Sequence, residues 1–132
     1  MLPEHLDVVA AVIMRDGRYL VTRRPRGTHL AGYWEFPGGK LDTDETHAAA
    51  LAREMREELA APVEVGGLVL ATTHLYQERS VSLYFYSCEL RGEPRPQLGQ
   101  QMRWVERADL NSLEFPAADK ALVELLIASE MR

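Results

Sequence analysis

The most informative part of this 132-residue chain is the segment from Gly38 to Leu59, which reads GGKLDTDETHAAALAREMREEL. It begins with two glycines, and its second half has the periodicity of an amphipathic helix. At about 100° per residue, Glu54, Glu57 and Glu58 fall on one side of that helix. The apolar residues on a separate arc are Ala48, Leu51, Ala52, Met55 and Leu59. The segment therefore predicts a helix with one buried face and one acidic face, with Thr46 as N-cap and Pro62 just beyond its end.

The acidic face of this helix suggests a metal site. Like charges three and four residues apart repel, at a cost of about a few tenths of a kcal/mol per pair. A divalent cation removes that cost, and Mg²⁺ prefers the oxygens of carboxylates, carbonyls and water. A carbonyl of the Gly38-Gly39 pair could join the ligands, because glycine allows close approach of the backbone. The alternative interpretation is an acidic helix face exposed to solvent.

The spacing of the segment resembles the Nudix box, G-x5-E-x7-R-E-U-x-E-E-x-G-U. The matching positions are Gly39, Glu45, Arg53, Glu54, Glu57 and Glu58. The sequence departs from the pattern at its end, where Ala60 replaces a glycine and Ala61 replaces a larger apolar residue.

The resemblance implies roles for these residues. The implied metal ligands are the Gly38 carbonyl, Glu54, Glu57 and Glu58. The implied catalytic residues are Glu54, Glu57, Arg53 and Glu45. Of these, Arg53 would pair with Glu45 and hold the loop against the helix. The implied cofactor is Mg²⁺, with Mn²⁺ as an alternative.

Composition allows this interpretation and excludes others. We expect one domain over residues 1–132, with 46% apolar and 27% charged residues. A net charge of −5 argues against binding a nucleic-acid polymer. The longest apolar run, Val8 to Met14, is too short to span a membrane, and the polar Met1–Asp7 stretch does not predict a signal peptide. The lone Cys88 suggests a reducing cytoplasm and a small core residue. Monomer and homodimer both remain open.

The order of the elements predicts an α/β fold. Val8–Met14 is predicted to be a buried strand, with Arg18–Arg23 as its hairpin partner across an Asp16-Gly17 turn. The remaining predictions are a loop at Arg24–Gly32, a strand at Tyr33–Phe36, a strand at Val63–Ala71 that could continue through Thr72–Tyr76, a turn at Gln77–Ser80, a strand at Val81–Glu89, a loop at Arg91–Gly99, a strand at Gln101–Val105 and a helix at Ala117–Ser129 with Ala121, Leu122, Leu125 and Leu126 facing inward. The Nudix resemblance implies an α/β/α sandwich around a central mixed sheet.

Three further segments extend the resemblance to MutT-type nucleoside triphosphate pyrophosphohydrolases. They are Arg23–Pro25, His29–Lys40 and Phe115–Asp119. The implied activity is Mg²⁺-dependent hydrolysis of an oxidised purine deoxynucleotide, of the 8-oxo-dGTP type, to the monophosphate and pyrophosphate. The implied biological role is DNA repair by sanitisation of the nucleotide pool. The alternative substrate is (d)CTP or a 5-modified dCTP.

The same resemblance suggests substrate-binding residues. Arg23 and Lys40, which match family positions, are candidate phosphate ligands, and so is Arg79 in the turn before the long strand, although each could be a solvated surface cation. Phe36 would stack on the base together with Val8 or Ala10 and with Pro116, although Phe36 could be a core residue. Asp119 is the candidate base reader, since an ionised aspartate accepts hydrogen bonds and a protonated one also donates. The alternative for Asp119 is an N-cap of the last helix.

One departure bears on catalysis. Related sequences usually have a glutamate six residues before the tryptophan of the last strand, and here that position is Leu98. Glu93 is nearby in sequence, but its loop would have to shift to replace the missing acid. A catalytically weak nucleotide-binding module with this fold is therefore the second class of function.

The histidines and tryptophans suggest no additional site. His5, His29, His47 and His74 have no ligand spacing, and His47 is expected to be a solvated residue of the first helical turn. Trp34 and Trp104 are expected to lie in the core.

Overall fold

A computed structural model describes residues 4–25, 27 and 31–129 of the chain. Its strands are β1 (Glu4–Val12), β2 (Met14–Arg15), β3 (Arg18–Arg23), β4 (Trp34–Glu35), β5 (Gly38–Lys40), β6 (Val63–Leu75), β7 (Arg79–Leu90) and β8 (Gln101–Glu106). Its helices are α1 (His47–Leu59) and α2 (Ala117–Ser129), and a 3-10 turn spans Arg107–Ser112. The described positions of the predicted Arg24–Gly32 loop are turn or irregular, whereas His29 lies outside the described residues.

Strand β1 occupies the centre of the molecule because both of its faces are apolar. It lies in a four-stranded sheet of order β5-β1-β7-β6, parallel to β7 and antiparallel to β5. Val9 and Ala11 pack in a core cluster with the buried face of α1. Ala10 and Val12 alternate to the opposite face and pack in a second cluster with α2. The expected α/β/α layering around a mixed sheet is confirmed.

The hairpin predicted between Val8–Met14 and Arg18–Arg23 is only partly correct. β1 ends at Val12, and Met14 and Arg15 form a separate short strand that pairs with β3, across a turn in which Asp16 and Gly17 both have positive φ. Strand β3 instead pairs with β4 and β8 in a second sheet. The apolar run is therefore shared between two sheets, because β1 needs β5 and β7 on its two edges.

Helix α1 has the predicted start, and its end explains why the box pattern has a glycine where this chain has Ala60. The Thr46 side chain accepts a hydrogen bond from the Ala49 amide at 3.1 Å. At the other end Ala60 adopts the left-handed conformation, with φ 51° and ψ 32°, and its amide bonds to the Arg56 carbonyl. The Ala61 amide bonds to the Met55 carbonyl. The bond from the Ala60 amide to the Arg56 carbonyl is that of the αL motif, in which glycine is the usual residue at the position of Ala60.

Helix α2 has the predicted bounds, but its buried face is rotated. Ala121 and Leu125, predicted to face inward, are exposed. The buried residues are Ala118, Asp119, Leu122, Val123 and Leu126. At 100° per residue the centre of this set is displaced by roughly 60° from the predicted one. The apolar arc is wide, so the sequence alone does not determine which part of it faces the sheet.

Other elements differ from the predictions at their ends. β6 runs to Leu75, as the possible continuation predicted, whereas β7 begins earlier, at Arg79, which shortens the Gln77–Ser80 turn. β4 is limited to Trp34–Glu35 rather than the predicted Tyr33–Phe36. Among the described residues, no helix is long and apolar enough to cross a membrane.

Two of the single residues discussed above are where they were expected, and one is not. Trp34 is buried, and Cys88 is buried with a pKa raised to about 11 by that burial. His47 was expected to be solvated, but its Nδ1 lies 2.7 Å from the Tyr86 hydroxyl and its ring packs against Tyr84. The aromatic pair on β7 offers His47 a partner that lies far away in sequence.

The left-handed alanine leads to a stability prediction. Ala60→Gly should raise the free energy of unfolding by about 1 kcal/mol, because glycine avoids the steric cost of this conformation. The melting temperature should rise by roughly 3–5 °C. Ala48→Gly, at an exposed position inside the same helix, is the matched control and should lower stability. A lower melting temperature for Ala60→Gly would contradict the assignment of this helix end.

Candidate functional site

One guanidinium joins the loop, the strand and the helix of the box segment. Arg53 donates two hydrogen bonds to Glu45, at 2.7 and 2.9 Å, and one to the Lys40 carbonyl at 3.0 Å. It also donates to Glu54 at 2.8 Å and to Glu57 at 3.1 Å. An arginine side chain has five N–H donors, so these five bonds use all of them. The predicted pairing of Arg53 with Glu45 is present and is bidentate.

This network favours the ionised forms of Glu45 and Arg53. The Arg53 hydrogen bonds and the Asp42 amide hydrogen bond lower the pKa of Glu45 to about 2. The Arg53 pKa is raised, first by its hydrogen bonds to Glu45 and Glu54. Glu45 and Arg53 are therefore ionised at neutral pH, and the loop before α1 is fixed to the helix.

The two glycines are required by close packing rather than by unusual dihedral angles. A Cβ atom at Gly38 would collide with the backbone of Val9 on the neighbouring strand. A Cβ atom at Gly39 would collide with the carboxylate of Glu54. The backbone of β5 therefore passes directly against one of the acids of α1.

Glu54 and Glu58 of α1 are partly buried, which disfavours their charged forms. Burial raises the pKa of Glu58 to about 8, with smaller contributions from the charges of Glu35 and Glu54. Its carboxylate accepts a hydrogen bond from the Gly38 amide at 3.3 Å, which acts in the opposite direction. Burial also raises the pKa of Glu54, and Arg53 opposes this rise. Both groups would be stabilised as carboxylates by a nearby cation.

The acids of α1 have the ligand atoms that a hard divalent cation prefers, but their side chains are not gathered around one point. Glu54 and Glu58 border a cavity, whereas Glu57 is outside its lining, has a 59% exposed side chain and is bound to Arg53. Over residues 4–25, 27 and 31–129, no three His, Cys, Asp or Glu side chains are arranged to hold a metal ion. The available ligands are all oxygens, which is the preference of Mg²⁺ and Mn²⁺.

The cavity brings the predicted substrate residues together. It has a volume of about 1060 Å³ and opens to solvent between β1, β7, the start of α2 and the box segment. Its lining includes all five predicted substrate residues, which are Arg23, Phe36, Lys40, Arg79 and Asp119. The apolar residues that line it include Val8, Ala10, Leu83, Pro116 and Ala118. The cavity thus has both charged and apolar walls.

Asp119 is buried in this cavity rather than capping a helix. Helix α2 begins at Ala117, so Asp119 is in its first turn and not at the N-cap, and its exposed fraction is 6%. Its pKa is raised to about 7, first by burial and then by the charge of Glu35, while Arg24 opposes both. Asp119 can therefore be protonated or ionised near neutral pH.

Phe36 belongs both to the core and to the cavity wall. It is 3% exposed and stacks on Phe115 with ring centroids 5.5 Å apart. Its remaining surface lines the cavity. Phe36 is therefore a core residue, as one alternative predicted, and it also borders the cavity.

Leu98 lies at the cavity edge, and Glu93 does not replace the missing acid. The Leu98 side chain is 62% exposed and lines the cavity. Its loop is fastened to the end of α1, because the Gln97 amide and the Gln100 side chain both donate to the Glu58 carbonyl at 2.9 Å. Glu93 instead pairs with Arg15 at 3.1 Å and is not in the lining.

Sequence reasoning missed two charged residues of this site. Glu35 and Arg24 line the cavity and form an ion pair at 3.1 Å. The available signal was a glutamate between Trp34 and Phe36 in a short apolar strand. An ionised side chain in such a place needs a partner or a function.

Comparison with known proteins gives the family. A model described as the NUDIX domain matches residues 8–125 of the chain. The chain belongs to the Nudix family. It is therefore a Nudix hydrolase acting on phosphoanhydride bonds, and Nudix hydrolases generally use divalent cations.

Individual Nudix relatives are similar over most of their length. A CTP pyrophosphohydrolase from Escherichia coli strain K12 is 34% identical, over 93% of this chain and 92% of the relative. A putative 8-oxo-dGTP diphosphatase 2 from Mycobacterium tuberculosis is 39% identical, over 88% of this chain and 84% of the relative. The solution structure of MutT from methicillin-resistant Staphylococcus aureus 252 is 32% identical and superimposes with a TM-score of 0.79, covering 97% of this chain and 99% of that one. The chain is MutT-like within the family.

Proposed function

We propose that this Nudix hydrolase is a Mg²⁺-dependent nucleoside triphosphate pyrophosphohydrolase that converts an oxidised purine dNTP, of the 8-oxo-dGTP type, to the monophosphate and pyrophosphate. One observation carries the proposal. A single cavity joins two acids of α1, four basic side chains and a buried carboxyl at the start of α2. A nucleotide bound with a cation has matching parts, since its phosphates carry negative charge and its base is flat with hydrogen-bonding groups at its edge.

The catalytic end of the site is assigned to the box residues. Glu54, Glu57, Glu58 and the Gly38 carbonyl would hold the cation. When bound, such a cation polarises phosphoryl oxygens and lowers the pKa of an attacking water. Glu54 is the preferred general base, because burial raises its pKa and Arg53 fixes its position. Arg53 and Glu45 are positioning residues in this scheme.

The triphosphate would be neutralised by basic residues from three elements. Arg23 is oriented by its Nε–H bond to the Gly32 carbonyl at 3.0 Å. Lys40 and Arg79 are exposed and line the same cavity. Placing such charges before the reaction lowers the cost of organising a dense anion.

The base would lie between apolar walls and be read by Asp119. A protonated Asp119 can donate to a guanine carbonyl, and an ionised Asp119 can accept from the amino group of cytosine. The second candidate substrate is therefore (d)CTP or a 5-modified dCTP, favoured by the acidic residue at this position and by the name of the Escherichia coli relative.

The remaining parts of the proposal are cellular. The reducing cytoplasm is the proposed compartment, and removal of damaged nucleotides before DNA synthesis is the proposed role. The partner is a small nucleotide, and the protein is proposed to act as a monomer or homodimer.

The first test is pyrophosphate release from 8-oxo-dGTP, dGTP, dCTP and 5-methyl-dCTP, with and without Mg²⁺. We expect release only with the cation, and Glu57→Gln should abolish it without lowering the melting temperature, because that side chain is 59% exposed. Glu124→Gln, at an exposed position on α2, is the control and should retain full activity.

Two results would count against the proposal. Full activity of Glu57→Gln would remove the metal assignment. Mg²⁺-dependent nucleotide binding without turnover would favour the alternative of a catalytically weak binding module. The loss of activity would then be attributed to Leu98, which replaces the glutamate usual in related sequences.

The second test uses the pKa of Asp119. The ratio of kcat/KM for 8-oxo-dGTP to that for dCTP should fall as the pH rises from about 6 to 8, because a raised carboxyl pKa of about 7 means that the proton donor is lost over this range. Steps common to both substrates cancel in the ratio. Asp119→Asn should make the ratio independent of pH and shift it towards 8-oxo-dGTP, since an amide both donates and accepts. A ratio that is flat with pH in the parent protein would show that the base is read elsewhere.

A further inference from the structure

Two acids that line the cavity have no role so far, Glu35 and Glu78, and Glu35 is the more buried of the two. It lies on β4, opposite Thr22 of β3, and its side chain is 30% exposed. Arg24 donates a hydrogen bond to its Oε2 at 3.1 Å, and both residues line the cavity. A carboxylate can accept about four hydrogen bonds, so this ion pair leaves capacity for a ligand.

The position of Glu35 is central within the site. Its charge is among the causes that raise the pKa of Glu58, after burial, and it acts in the same way on Asp119. Glu35, Glu58 and Asp119 all line the same cavity, so a ligand that fills the cavity can reach all three.

The chemistry of Glu35 indicates which part of a nucleotide it meets. A carboxylate repels phosphate oxygens, so it does not serve the triphosphate. It also repels a carbonyl oxygen of a base, because both groups only accept hydrogen bonds. A base N–H group is the complementary partner. Burial raises the pKa of Glu35, and the charge and hydrogen bond of Arg24 oppose this rise.

We propose that Glu35 is a second base-reading carboxylate, which accepts a hydrogen bond from an exocyclic amino group of the nucleobase while Arg24 fixes its position. The inference rests on the proposed function only in taking a nucleotide as the ligand. It assigns base specificity to two acids of the cavity, Glu35 and Asp119. Bases with an amino group, such as cytosine and guanine, are accepted, and uracil and hypoxanthine are rejected.

The test compares bases that differ at the amino group. Binding of dCMP and dUMP, and of dGMP and dIMP, is measured by calorimetry on the full chain. The parent should bind the amino-bearing member at least about tenfold more tightly in at least one pair, because an unpaired polar group in a buried site is costly. Glu35→Gln should reduce this ratio to within about threefold, since the amide can also donate to a carbonyl.

Two further variants test whether the position of the Glu35 carboxylate matters as well as its charge, and whether loss of any ion pair has the same effect. Glu35→Asp keeps the charge but withdraws it by one methylene, and it should also reduce the ratio. Glu93→Gln breaks a matched ion pair outside the cavity, that with Arg15 at 3.1 Å, and should leave the ratio unchanged. Melting temperatures of all variants show whether each one is folded.

Several outcomes would overturn the inference. They are equal binding of both members of each pair by the parent, no binding of any monophosphate, an unchanged ratio in Glu35→Gln, and equal weakening of all four ligands. The measurement needs no turnover, so its failure is distinct from failure of the proposed function. A protein that hydrolyses no triphosphate but loses base discrimination in Glu35→Gln would refute the function and support the inference.

Discussion

The site depends on a single side chain, Arg53, whose five donors are all engaged. Two bonds hold Glu45 of the loop, one holds the Lys40 carbonyl of β5, and two hold Glu54 and Glu57 of the helix. No other cationic side chain has this planar fork, because lysine offers three donors from one nitrogen. The geometry of the acids is therefore fixed from within the box segment.

This constraint acts only because the central sheet brings β5 to the helix. Both faces of β1 are apolar, which places it between β5 and β7 and separates the two helices onto opposite sides. Gly38 and Gly39 then allow β5 to approach both Val9 and the carboxylate of Glu54. The cavity results from this arrangement, with acids on one side and Asp119 of α2 on the other.

The sequence predicted well those features that depend on short-range spacing. The start of α1, the pairing of Arg53 with Glu45, and the turn at Asp16-Gly17 each follow from residues close in the chain. The division of the first apolar run between two sheets did not follow, because strand partners are chosen by long-range contacts. The same reason explains the rotated face of α2 and the role of His47, whose partners lie on β7. Glu35 was overlooked because its partner and neighbours come together only in the fold.

The most direct test of this account is the steady-state kinetics of Arg53→Lys with the preferred triphosphate. The account predicts that kcat falls by about 10–100-fold, because lysine cannot hold Glu45, Glu54 and Glu57 together, while KM changes little. The melting temperature shows that the variant is folded at the assay temperature. A folded Arg53→Lys with the kcat of the parent would contradict the claim that this one side chain positions the acids.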